Sequence, residues 1–150
     1  MACHYDIYQT YVQTGMGQSM SLATPENSEA IFTENSILID TFNQFSYHPF
    51  WKDSVLKLKE LHDYGERIED VDFIVGSGHH TNSHLWEDGG YVHQMPFTYY
   101  TQDGHLDFPP GFEDGYNSRF SRKIGLECMS CHNATPDFVL GSENKYHNVP

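Results

Sequence analysis

Five residues near the C-terminal end carry the clearest chemistry in this chain: Cys128-Met129-Ser130-Cys131-His132. Two thiols three positions apart lie on one side of a helical turn, within reach of the two vinyl groups of a single haem. The adjacent imidazole of His132 then meets the iron as proximal ligand. C-x-x-C-H is the signature of covalent c-type haem attachment. A thioredoxin-like CxxC is the first alternative, but it would sit early in a βαβ pattern, and none is legible here. Half of a zinc site is the second. It needs another ligand pair, which Cys3 and His4 formally supply.

The start of the chain has the same flavour. Met1-Ala2-Cys3-His4 reads as a second C-x-x-C-H entered one residue late. On this reading the chain is a fragment, incomplete at both ends. That also accounts for the odd number of cysteines, 3, and for the lack of a basic and apolar leader after Met1. The expected cofactor is haem c with its iron, one group at Cys128–His132 and two when Cys3-His4 is counted.

A low-spin bis-His haem needs a second axial ligand from elsewhere in the chain. Ten histidines are present. His48, in Phe45-Ser46-Tyr47-His48, and His80, in Gly76-Ser77-Gly78-His79-His80, stand at the edges of predicted elements, where a side chain can be aimed. His147 is third. His62, His79, His84, His93 and His105 are expected at the surface or in hydrogen bonds, the ordinary situation of a lone histidine. Methionine is the other common sixth ligand. Met16 lies between two glycines, which lets backbone approach a ring closely. It is weighed with Met20, and an ordinary core or exposed Met is the plainer reading of both.

The elements that must position these residues are short. Ile7, Tyr8, Tyr11 and Val12 share a face at helical spacing within 5–14, and Gly15 and Gly17 end that helix. Residues 21–35 read as a loop. A small antiparallel sheet is expected in the middle. Its strand candidates are 36–42, with Ile37 and Ile39 on one side, 55–61, with Leu56 and Leu58 opposed to Lys57 and Lys59, and 71–75. Glu87-Asp88-Gly89-Gly90 makes a hairpin between Leu85-Trp86 and 91–95. Pro96 marks an edge or bulge before 97–101. Residues 105–123 form an irregular loop. A second short helix begins near Gly125 and carries the CxxCH, with Pro136 beyond it. The fold class is therefore α+β with little regular structure: a small antiparallel sheet flanked by short haem-bearing helices, as one domain over 1–150.

Composition sets outer limits. The chain has 150 residues, 38% of them hydrophobic and 15% aromatic. An apolar share this low leaves room for haem to fill part of the core, with the aromatics packed on the macrocycle or on each other. The chain without haem is then expected to be largely unfolded. The net charge of −13 excludes a nucleic-acid surface. It suits attraction of a basic redox partner, although solubility alone also explains surface acids. No apolar run is long enough to span a bilayer.

Four stretches together resemble a known family. Cys3-His4-Tyr5-Asp6-Ile7-Tyr8-Gln9-Thr10-Tyr11 with Thr14-Gly15-Met16-Gly17-Gln18-Ser19 is similar to the first haem segment of multihaem c-type cytochromes of the nitrification-type tetrahaem class, often fused to tetratricopeptide repeats. That segment continues into a T-G-M-G-R-S-like turn. Asp72 to Leu85 is similar to the central stretch of the family, and Arg119 to Pro136 to its second haem segment. Glu143 to Pro150 resembles the approach to a third motif. The resemblance implies several closely packed haems, mostly bis-His, in an exported protein, periplasmic or extracellular, that passes electrons to other redox proteins or further haem segments. It implies His80 as a distal ligand and supports His48, while Met16 occupies a position where related cytochromes have a ligand His. The rival functions are a multihaem redox enzyme acting on a small nitrogen or sulfur compound at an open-coordinate haem, and a non-haem metal-binding domain.

Overall fold

The computed structural model describes residues 4–133 and 136–149. Cys3, one of the expected haem-attachment residues, lies outside them. Among the described residues the elements in order are α1 (Tyr5–Tyr11), β1 (Met20–Leu22), β2 (Leu38–Asp40), β3 (Phe45–Lys52), β4 (Val55–His62), β5 (Gly65–Asp70), β6 (Phe73–Val75), β7 (Thr81–Asp88), β8 (Tyr91–Tyr100), β9 (His105–Asp107) and α2 (Leu126–His132). The α+β class stands, with antiparallel strands between two short helices. The strands form two sheets, one in the order β1-β6-β7-β8-β9 and the other in the order β2-β3-β4-β5.

Alternation along the strands decides how the sheets stack. In β4, Leu56, Leu58 and Glu60 are buried while Lys57 and Lys59 face outward. Two-residue side-chain periodicity makes one face apolar. That face meets Ile74, Met95 and Phe97 of the five-stranded sheet in a shared core with Leu38, Phe45, Tyr47 and Phe120. The two sheets thus pack face to face. The other face of the five-stranded sheet is covered too. Phe73, Leu85 and Val92 pack there against Met129 of α2 and Tyr146. The core is consequently filled by the chain's own side chains, with Tyr47, Leu56, Leu58, Ile74, Met95 and Phe97 fully buried.

The turns follow from local chemistry. Gly89 and Gly90 both adopt positive φ, 58° and 92°, and close the β7–β8 hairpin as the tightest hairpin turns require. The β3–β4 hairpin turns on Asp53 and Ser54, with φ of 50° and 64°. Register between β7 and β8 shifts between Ser83 and Leu85. This is opposite Pro96, which cannot donate a ladder hydrogen bond, as the expected bulge implies.

Ile37 and Ile39 share one side of their strand segment, and it is the exposed one. In β2, Leu38 and Asp40 are buried, whereas Ile37 and Ile39 are exposed. Asp40 is accommodated because its carboxylate accepts hydrogen bonds from the backbone N–H groups of Phe42 and Asn43 and from the side-chain amides of Asn43 and Asn117, at 2.9–3.1 Å. Those donors outweigh the cost of burial and hold its pKa below the ordinary carboxylate value. No helix of the described residues is long and apolar enough to cross a membrane.

Candidate functional site

The CxxCH motif lies on α2, a helix of seven residues. So short a helix is not stable on its own propensity and must be held by packing. Met129 supplies the anchor, 1% exposed within the core over the outer face of the five-stranded sheet. The first N–H of the helix, from Leu126, is donated to Asn144 Oδ1 at 3.3 Å. Glu127 in the first turn matches the helix dipole. At about 100° per residue, Cys128, Cys131 and His132 project within one arc of about 100°. Both thiols are free and exposed. Spacing, exposure and direction together let one planar group meet two sulfurs and an imidazole.

His132 is half-buried between two cavities. The first, of about 170 Å³, is lined by Met20, Val75, Leu85, Ile124 and Met129 with Cys128 and His132, and is chiefly apolar. The second, of about 230 Å³, is also chiefly apolar in surface and joins Met16, Ser19, His80 and Thr81 to His132. Neither alone reaches the roughly 300 Å³ at which cofactor pockets begin. An apolar shelf beside the Cys128 thiol and an imidazole is the lining that the haem implied by the motif would use.

The imidazole is oriented by its neighbour. His132 Nδ1 lies 2.7 Å from Ser19 Oγ. Ser19 Oγ donates its one proton to the Met16 carbonyl at 2.6 Å. Toward His132 the hydroxyl is therefore an acceptor, so Nδ1 carries the proton. Nε2 is left with its lone pair, the state a metal requires. A second tie comes from Tyr11, whose hydroxyl donates to the Cys131 carbonyl and joins α1 to α2.

The backbone around the second cavity is tightly set. Gly76 has φ of 138°, and a Cβ there would meet the Thr81 carbonyl oxygen at 1.9 Å. Its N–H is donated to Ser19 O at 2.6 Å, fixing the Ser19 backbone beside the loop that carries His80.

No family model, curated protein or solved structure matches the chain.

Of the expected axial ligands, the structure brings His80 and Met16 to the same cavity as His132, and leaves two elsewhere. His48 is on the outward face of β3, opposite Lys59 and 3.2 Å from Ser46 Oγ. Both sheets stand between it and α2, so His48 does not share a site with His132. His147 is exposed near the bridge between Phe138 and Tyr146, and lines neither cavity at His132. His4 is exposed at the start of α1, where its carbonyl accepts the Tyr8 N–H at 3.0 Å. Met20 lines the apolar cavity. Among the described residues no three His, Cys, Asp or Glu side chains converge as a metal cluster; a haem site needs no such cluster.

Two histidines expected at the surface or in hydrogen bonds are buried instead. His93 is 9% exposed, with its Nδ1 unpartnered. His84 is 0% exposed, lies parallel to Phe97 with ring centres 4.1 Å apart, and has no hydrogen-bond partner at either nitrogen. Ser19 was missed as a functional residue. Its signal was its place at the end of the Thr14-Gly15-Met16-Gly17-Gln18-Ser19 turn.

Proposed function

We propose that this chain carries electrons through c-type haem held by Cys128, Cys131 and His132. The observation that supports this best is the Ser19–His132 pair. It gives the imidazole of a CxxCH motif the protonation state of a metal ligand, beside an apolar cavity and two free thiols. When bound, the haem supplies an iron that gains and loses one electron. Cys128 and Cys131 would hold the haem through their thiols, and His132 would bind its iron through Nε2. His80 is the candidate second ligand in this reading, with Met16 beside it as the alternative. A second haem at Cys3 and His4, export to the periplasm or cell exterior, and redox proteins with basic surfaces as partners belong to the same proposal. The net charge of −13 favours such partners.

The rival reading, a redox enzyme, is favoured by the second cavity next to His132, which has room for a small ligand. Expression alongside a c-type haem attachment system tests both. The electron-carrier reading expects a haem stain that survives denaturing electrophoresis and wholly low-spin spectra. Cys128→Ser with Cys131→Ser removes the haem attached at α2. A high-spin haem that binds small ligands favours the enzyme, and no stain in the unaltered chain sinks the haem reading.

A further inference from the structure

We infer that Ser19 is a positioning residue that sets the electron-donating strength of His132, and through it the reduction potential of the iron His132 would hold; this rests on the haem reading above. Ser19 is buried, 5% exposed. Its backbone is held on both sides: its N–H is donated to Met16 O at 3.2 Å, and its carbonyl accepts the Gly76 N–H at 2.6 Å. The hydroxyl therefore has little freedom. Its proton is committed to Met16 O at 2.6 Å and its lone pair faces His132 Nδ1 at 2.7 Å.

A hydrogen bond accepted from Nδ1–H draws that proton away from the ring and makes Nε2 a stronger donor. A stronger axial donor stabilises Fe(III) over Fe(II), so the intact Ser19 contact lowers the potential. Carboxylates and backbone carbonyls are the commoner partners of ligand histidines; here a hydroxyl polarised by a carbonyl takes that place. Ser19 touches neither the thiols nor the iron position and acts only through His132.

The test is a redox titration of the haem-loaded chain, in which an electrode supplies one electron to convert Fe(III) to Fe(II). Ser19→Ala is expected to favour Fe(II) by about tenfold, which is about 59 mV upward for one electron. Ser19→Thr keeps the hydroxyl and is expected to return to the wild-type value. Ser19→Cys offers a weaker acceptor of similar shape and should fall between. If the alanine variant does not load haem, the comparison of Cys with Thr decides the question. An alanine variant that loads haem with an unmoved potential overturns the inference, as does a threonine variant displaced as far as alanine. Either result leaves the haem reading standing. A wild-type chain without haem overturns both, and the stain shows which failure has occurred.

Discussion

Acid should destabilise this chain through His84. Its ring lies inside the sandwich, 4.1 Å from Phe97 and 6.2 Å from Phe32 by ring centres, with no exposure and no hydrogen-bond partner. Burial pushes its pKa down to about 3 from 6.5, and the nearby Phe97 backbone offsets only part of that. An unfolded chain takes up a proton at this histidine as the pH falls through 6.5, while the folded chain refuses it until about 3. The unfolded state thus binds more protons across that window, so stability rises with pH and is lost on acidification. At about 1.4 kcal/mol per pH unit, moving from pH 7.5 to pH 5.0 costs about 2 kcal/mol from this residue alone. Other groups titrate as well, so the comparison must isolate His84. His84→Phe keeps a ring in the stack and removes the titration. Urea unfolding of both proteins at the two pH values gives the difference. Wild type should lose about 2 kcal/mol more than the variant, visible as a larger fall in midpoint at constant slope. Parallel losses in the two proteins would refute the reasoning, because they would mean the buried ring is protonated or solvated without unfolding.

Two further substitutions probe the scaffold. Gly76→Ala places a Cβ 1.9 Å from the Thr81 carbonyl at φ of 138°, so it should cost at least about 3 kcal/mol in denaturant melts; a cost below about 1 kcal/mol would show that the loop carrying His80 yields easily. Arg119 pairs with Glu60, whose side chain is only 3% exposed, while the guanidinium is half open to solvent. Arg119→Met should therefore cost about 2 kcal/mol, less than for a fully buried pair, and adding Glu60→Gln should recover part of it in a double-mutant cycle.

What was legible in the sequence follows the strength of local signals. The hairpin at Gly89-Gly90 was readable because only glycine takes its φ values without cost. The hairpin at Asp53-Ser54 was not, since nothing in that dipeptide announces two residues in the left-handed region. The strand at Leu56 to Glu60 was readable because its outward lysines alternate with inward leucines. At Ile37 to Asp40 the alternation separates the two sides but does not say which of them is buried. Burying Asp40 is affordable only with donors from Asn43 and Asn117, and Asn117 is 77 positions away. The helix at Leu126–His132 and its thiols were plain from spacing alone. Ser19 was not, because its role depends on a partner 113 residues distant and on a proton already committed to Met16. Of the candidate ligands, His80 was separable from His48 only once the sheets had been stacked, since periodicity within a strand cannot tell which layer lies beneath it.

The fold also changes what the haem motif is being asked to do. A chain this poor in apolar residues invited the view that a macrocycle completes its core. The buried side chains form two clusters. One core, between the sheets, lies away from α2. The other seats α2 through Met129 and leaves the thiols on the outside. A group attached at Cys128 and Cys131 would lie on the exposed side of α2, and its iron would meet His132 where the two cavities adjoin. In such a design the residues that decide redox behaviour need not be those that decide folding. Ser19 and His80 can tune the site at modest cost to the sandwich, whereas Tyr47, Leu58 and Phe97 govern stability from a layer that does not touch it. This separation allows the redox proposal and the stability predictions to fail independently, and it makes the loop from Gly76 to His80, which touches both, the most informative stretch of the chain to perturb.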